Sequence, residues 1–298
     1  MANVKEVNIE AIRNNERDSV GFDDIKLNYD DCVSLAYALR INTSLQTLSL
    51  FRCDLGPKEA KLIAESLHYH PRIDYLTFYV NNLGDEGATA VANLLRVNKS
   101  IRVINIDQNE VTDVGIAALC QALRYNDYVH SLHIYTNKYG DQGAFALADL
   151  IECNYTIRYI DLPYNRIGAS GAEKLIKALE KNAIIETFNF QGNPGHTEDI
   201  QNIISNILLR NSSSTEEEKR IWIKNRKKIR VRFMSNKIGL IFALIHKKNR
   251  NRYNECPMAQ LPREILHMIL DVWRENDGPL FSSKAFFDCE ANNLHFMA

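Results

Sequence analysis

Residues 73–98 read IDYLTFYVNNLGDEGATAVANLLRVN, and this stretch decides the fold. Its first part carries apolar residues at the alternating positions Leu76 and Phe78, which is typical of a β-strand. Its second part carries apolar residues at helical spacing, namely Ala88, Val91, Ala92 and Leu95. The pattern therefore predicts one strand followed by one helix.

The same pattern recurs every 28 residues along the chain. The apolar residues that open the units are Leu45, Ile73, Ile101, Val129, Ile157 and Ile185. A fixed period in this range is typical of stacked repeat proteins. Because parallel neighbouring strands are joined by right-handed crossovers, we expect a right-handed solenoid with strands inside and helices outside.

An asparagine recurs where each predicted strand ends, and Cys53 takes this place one unit earlier. The asparagines are Asn81, Asn109, Asn137, Asn165 and Asn193. A side-chain amide at a bend can pair backbone groups that would otherwise cost about 1–3 kcal/mol each if buried alone. We therefore predict a buried structural column rather than a binding site.

A glycine and an aspartate precede most of the predicted helices. Glycine at these turns would relieve the backbone restrictions of other residues, at Gly56, Gly84, Gly140 and Gly168. The aspartates that follow are expected to be the N-caps of their own helices, at Asp85, Asp113 and Asp141.

The G-D-x-G-A turn, the 28-residue period and a closing asparagine, as at Asn98 and Asn126, resemble the ribonuclease-inhibitor class of leucine-rich repeats. The resemblance is strong from Leu45 to about Asn211, and a degenerate copy precedes it. It implies an α/β, right-handed leucine-rich-repeat solenoid that binds a protein. We predict an N-terminal cap over residues 1–16, about seven repeats over 17–211, and a C-terminal helical region over 212–298.

The composition is that of an ordinary globular protein, with 45% hydrophobic and 24% charged residues. The six cysteines have no disulfide-framework spacing and no metal-site clustering, so we expect a reducing compartment and no metal or cofactor. The first residues have no apolar signal region, which favours a cytoplasmic protein. Repeat domains joined to short adaptor-like ends also resemble secreted effectors of intracellular bacteria, which would act in the host cytosol.

Charge is divided sharply along the chain. Residues 1–211 contain 20 Lys/Arg and 27 Asp/Glu, whereas residues 219–252 contain 13 Lys/Arg and no acid. Thr215 and Glu218 form a capping-box pattern that predicts the start of a basic helix. This helix either covers the end of the solenoid against its acidic surface or binds an anionic membrane surface. Nucleic acid is disfavoured as a partner because no nucleic-acid-binding module is recognisable.

Residues 261–270 read LPREILHMIL and resemble the opening of an F-box. That resemblance implies a substrate adaptor of a cullin ubiquitin ligase, which would dock on a Skp1-type adaptor through Leu261, Pro262, Ile265, Leu266 and Ile269. Residues 277–279, Asp-Gly-Pro, interrupt the middle of the motif. A plain capping helix therefore stays open as the alternative.

The sequence contains no phosphate loop, no H-E-x-x-H and no G-x-S-x-G motif. Asp107, His133 and Asp161 fall on one predicted face, where acid–base chemistry is conceivable in principle. Charged residues on the strand face of a repeat protein are far more often contacts for a partner. We therefore expect no enzyme.

Strand side chains alternate between two faces, so the residues beside the buried strand positions project from the concave face. We predict that this face binds a partner protein, because tyrosine is favoured as an interface anchor. The predicted contacts are Phe51, Tyr75, Tyr79, Asp107, His133, Tyr135, Tyr159, Asp161 and Tyr164. The alternative is that these aromatic rings pack on one another or on the basic helices. Without its partner the chain is expected to be a monomer.

Overall fold

The computed structural model describes residues 4–228. The F-box-like segment at residues 261–270, with all five predicted adaptor-docking residues, lies outside the described residues. Most of the predicted basic region after residue 228 lies outside them too.

Strands and helices alternate along the described residues. The helices are α1 (Val4–Arg13), α2 (Tyr29–Ile41), α3 (Pro57–Ser66), α4 (Gly84–Val97), α5 (Asp113–Leu123), α6 (Asp141–Cys153), α7 (Ala169–Glu180) and α8 (Glu198–Ser213). The strands are β1 (Ser19–Gly21), β2 (Thr47–Ser49), β3 (Tyr75–Thr77), β4 (Val103–Asn105), β5 (Ser131–His133), β6 (Tyr159–Asp161) and β7 (Thr187–Asn189).

The strands form one parallel sheet in the order of the chain, from β1 to β7. Each residue pairs with the residue 28 positions later, so that Leu48 lies opposite Leu76 and Leu76 opposite Ile104. The period of the sequence is thus the register of the sheet. The architecture is the predicted α/β leucine-rich-repeat solenoid.

The core lies between one face of the sheet and the helices. The middle residue of each strand is buried, as at Leu48, Leu76 and Ile104, and packs into one continuous apolar cluster with the helices. Most side chains on either side of it are only partly buried or exposed. We call this second side of the sheet the open sheet face.

The asparagine column is buried, which confirms its predicted structural role. The Asn137 Oδ1 atom accepts hydrogen bonds from the backbone N–H groups of Asn109 and Val111, each at 3.0 Å. Its Nδ2 group donates to the carbonyl of Ile106 at 3.2 Å. Each such side chain therefore pairs backbone groups of the preceding repeat.

A second set of buried side chains pairs the backbone at the other bend of each repeat. Asn98 and its equivalents donate to a carbonyl 31 residues earlier, as in the 2.8 Å bond from Asn98 Nδ2 to Leu67 O. His70 replaces the asparagine in one repeat, where its Nδ1 accepts from the N–H of Ile73 at 3.1 Å. Burial lowers the pKa of His70 to about 4, so the ring is neutral at pH 7.

The prediction that the turn aspartates cap their own helices is wrong. The N-cap positions are Thr112 for α5 and Gly140 for α6, so Asp113 and Asp141 are the first helical residues. The carboxylate of Asp113 instead accepts from the N–H groups of Gly140 and Gly143, at 2.8 and 2.6 Å, in the next repeat. Each aspartate thus caps the following helix, where negative charge is favourable.

The reason predicted for the turn glycines holds only at Gly84, which has a φ of +56°. The other three have ordinary extended or nearly extended backbone. Close packing explains a different set, which includes Gly171. A Cβ on Gly171 would lie 2.6 Å from the carboxylate of Asp141 and 2.9 Å from the Cβ of Ala144. These glycines let the capping carboxylate reach the helix.

A further helix begins after Thr215, as predicted, and residues 216–228 are helical. Thr215 and Glu218 form the expected reciprocal capping bonds. Lys219 is buried with its Nζ 3.6 Å from the carboxylate of Glu186, and the indole N–H of Trp222 donates to Lys181 O at 3.0 Å. The start of this helix is therefore attached to the last repeats. No helix within residues 4–228 is long and apolar enough to cross a membrane.

Replacing Asn109 with Ala should lower the free energy of unfolding by about 2–4 kcal/mol, because several buried backbone groups lose their partner. The amide now donates to the carbonyls of Phe78 and Asp107, both at 2.8 Å. Asn82→Ala is the matched control, since Asn82 is exposed, and should change stability by less than about 0.5 kcal/mol. Urea unfolding measures both. Equal effects would contradict the structural role of the column.

Candidate partner-binding surface

The open sheet face is a grid set by the parallel register. Two positions in each strand and the second residue after it form three rows of seven residues. Neighbouring positions in a row are one strand apart, which is about 4.8 Å. Side chains that are 28 or 56 residues apart in sequence therefore touch.

Three aromatic rings of one row pack together on this face. The ring centres of Phe51 and Tyr79 are 4.9 Å apart and stacked, and those of Tyr79 and Tyr135 are 5.7 Å apart. The hydroxyl of Tyr135 donates to that of Tyr79. Arg52 lies over the outer side of Phe51, with its guanidinium carbon 4.8 Å from the ring centre. This group is named the aromatic cluster, and it realises the alternative that the rings pack on one another.

Asp107 was expected to be an exposed contact, but only 1% of it is exposed. It lies between Tyr79 and Tyr135 in the same row, and the two hydroxyl groups meet across this position because their strands are only about 10 Å apart. The carboxylate of Asp107 accepts from the backbone N–H of Tyr135 at 2.7 Å. Burial raises the pKa of Asp107 to about 7, although the Tyr135 hydrogen bond and His133 oppose the rise.

His133 and Asp161 lie together on the neighbouring row, as predicted. The Nδ1 atom of His133 is 3.8 Å from the Asp161 carboxylate, and its Nε2 is 2.8 Å from the Ser131 hydroxyl. The amide of Asn189 donates to Asp161 at 2.9 Å. Interaction with His133 lowers the pKa of Asp161, helped by Asn189, while burial opposes the shift. Sequence reasoning missed Ser131, although its position two residues before His133 on one strand was a usable signal.

The order Asp161, His133, Ser131 has the connectivity of a nucleophile activated by a histidine, but the surroundings do not support hydrolysis. Such catalysis needs backbone N–H donors aimed at the developing oxyanion. The N–H of Ser131 is bonded to the carbonyl of Arg102 at 3.1 Å, and that of Ile134 to Asp161 O at 2.9 Å. Ser131 is also buried. These contacts hold His133 in place.

The remaining predicted contacts lie around these two groups. Tyr75 is partly buried, and burial raises the pKa of its hydroxyl, with smaller effects of Asp107 and Asp23. Tyr159 is exposed and donates to Glu186 at 3.2 Å. Tyr164 is 60% exposed with a φ of 54°, and its ring lies so close to Gly192 that a Cβ there would be 2.4 Å away. Tyr164 therefore lies beside the grid rather than in it.

The grid carries negative charge without positive charge. Its three rows include Asp23, Asp107 and Asp161 but no Lys or Arg. Within residues 4–228, none of these three carboxylates pairs with a Lys or Arg. No group of three or more His, Cys, Asp or Glu in that range could hold a metal ion. The face therefore offers aromatic rings and carboxylates to a ligand.

Comparison with known proteins identifies leucine-rich repeats in this chain. The family model described as Leucine Rich repeat matches residues 42–64, 97–120 and 153–175, which begin about two periods apart. Among curated proteins, no significant match is found.

Two solved structures are similar at a low level. One is the leiomodin-1 actin-binding site 2, which is 17% identical over 77% of this chain and 99% of its own, with a TM-score of 0.36. The other is the tropomodulin C-terminal domain from Caenorhabditis elegans, which is 16% identical over 75% and 98%, with a TM-score of 0.32. Similarity this low says nothing about what this chain binds.

Replacing Asp107 with Asn should remove one source of pH-dependent stability. The pKa of Asp107 rises from its ordinary value of 3.8 to about 7 in the folded chain, so between these values the folded state holds a proton that the unfolded state has released. The stability contributed by the neutral carboxyl is present below about pH 4 and is lost as pH rises to 7.

The difference in unfolding free energy between Asp107→Asn and the unmodified chain should therefore grow from near zero at pH 4 to the order of 2–4 kcal/mol at pH 8, in favour of the variant. His70 is present in both proteins, so its own titration cancels in the difference. Urea unfolding across this pH range measures it. A difference that does not change with pH would rule out the buried, protonated state.

Proposed function

We propose that this chain is a protein-binding module that holds a basic segment of its partner on the open sheet face. The observation that carries the proposal is the aromatic cluster next to carboxylates that have no cationic partner in the described part of the chain. Aromatic side chains anchor interfaces, and opposite charge fixes register and partner choice.

The aromatic cluster supports anchoring because its rings are already ordered. Phe51, Tyr79 and Tyr135 are partly exposed, yet each is held by a neighbouring ring or hydroxyl. An anchor that is fixed before binding loses little side-chain entropy, which otherwise costs about 0.5–1.5 kcal/mol per ordered side chain. A partner therefore meets a prepared surface.

The charge on the face supports a basic partner. Asp161 is a partly exposed carboxylate whose described neighbours are His133 and Asn189 rather than a Lys or Arg. A Lys or Arg of the partner would pair with it while its aliphatic part covers the neighbouring rings. The faces of tyrosine rings also attract cations. Acidic partner segments would be repelled.

The proposal includes a non-enzymatic role in a reducing compartment, with the repeats of the ribonuclease-inhibitor type. Support for the compartment comes from the four described cysteines, which are all free, and three of which are buried. Burial raises the pKa of Cys32 and Cys53 to about 12, so these thiols are unreactive packing residues.

Selection of short random peptides displayed on phage against the purified chain tests the proposal. Selected peptides should be enriched in Lys and Arg. Changing Tyr79 and Tyr135 together to Ala should weaken their binding by about 2 kcal/mol or more, which is roughly 30-fold in Kd. Asp161→Asn should weaken binding and reduce its salt dependence.

Tyr69→Ala is the matched control, because Tyr69 is 86% exposed just after α3 and outside the grid. It should leave peptide affinity unchanged, while circular dichroism checks that the double variant is folded. Peptides without basic residues, or peptides that bind the double variant as tightly as the unmodified chain, would refute the proposal.

A further inference from the structure

A stripe of exposed apolar side chains runs along α2, on the helix side of the molecule. Tyr29, Val33, Tyr37 and Ile41 follow one another at intervals of four residues, which places them on one side of the helix. Each is 44–58% exposed. The α2 stripe, as we call these four residues, is separate from the open sheet face.

The repeats themselves show that this stripe is not required by the fold. The residues 28 positions apart that correspond to Tyr37 in the later helices are Glu65, Asn93, Gln121, Asp149 and Lys177. All are polar, as expected for the solvent side of a surface helix. The repeat that contains α2 alone carries an aromatic residue there, so the stripe has a cause other than packing within the solenoid.

We propose that the α2 stripe binds the α2 stripe of a second copy of this chain, in an antiparallel pair related by a two-fold axis. A two-fold interface must be complementary to itself. An axis level with Leu35 places Tyr29 of one copy level with Ile41 of the other, and Val33 level with Tyr37. Each level then combines an aromatic ring with a branched aliphatic side chain.

Charge complementarity supports this occupant. Asp30 and Arg40 flank the stripe, both are exposed, and neither forms an ion pair within residues 4–228. The same two-fold axis brings Asp30 of one copy level with Arg40 of the other, twice in the pair. A parallel arrangement would instead bring like charges level.

The pair is expected to be weak. Stable dimers bury about 1,200–2,000 Å² in total, and one pair of helices covers less than that. We expect a dissociation constant on the order of 10–500 μM, so that the chain is a monomer when dilute and a dimer when concentrated. The earlier expectation of a monomer then applies only to dilute solution.

Sedimentation velocity of the full chain between about 1 μM and about 500 μM tests the proposal. The average mass should rise from the monomer value of 34.2 kDa towards twice that value. Val33→Asp with Tyr37→Asp should hold the mass at the monomer value. Val114→Asp is the matched control, since Val114 on α5 is also an exposed apolar residue, and it should leave association intact.

Charge exchange tests the arrangement itself. Asp30→Arg alone and Arg40→Asp alone should each weaken self-association, because like charges then meet at both levels. The chain with both changes should regain it, and a mixture of the two single variants should form a mixed dimer. A monomer at every concentration, a dimer insensitive to Val33 and Tyr37, or no recovery in the charge-exchanged chain would overturn the proposal.

Discussion

The structure depends on side chains that pair the backbone of a neighbouring repeat. A strand–helix unit has bends at both ends, and the backbone N–H and C=O groups there have no partner within the unit. Asn137 supplies these bonds for the repeat before it. The carboxylate of Asp113 supplies them for the helix after it. An unpaired buried group costs about 1–3 kcal/mol, so one repeat alone is unstable and stacking is obligatory.

This stacking also builds the candidate site. Because every strand is placed 28 residues after the last, Tyr79 and Tyr135 start about 10 Å apart and their hydroxyl groups meet. Asp107 is enclosed by residues that belong to other repeats, which raises its pKa. A slip of one residue in the register would turn these side chains to the core. The surface chemistry is therefore as rigid as the buried columns beneath it.

The fold could be predicted because its signals are local and periodic. Alternation within residues 73–78 and the repeated asparagine define strands, helices and register without any knowledge of distant contacts. The burial of Asp107 could not be predicted, since it depends on whether two tyrosine rings 56 residues apart meet. The same is true of Asp113, whose N-terminal position suggests a cap for its own helix. The α2 stripe was visible as a four-residue spacing, but its exposure became clear only in the structure.

Amide hydrogen exchange in Asn137→Ala tests most directly whether one repeat pairs the backbone of the next. In the unmodified chain the N–H groups of Asn109 and Val111 donate to the Asn137 side chain. Their protection should fall in the variant by more than that of N–H groups within the ladder of β1 and β2, which lie several repeats away. If protection at Asn109 and Val111 stays unchanged, or falls equally everywhere, the account of the buried columns is wrong.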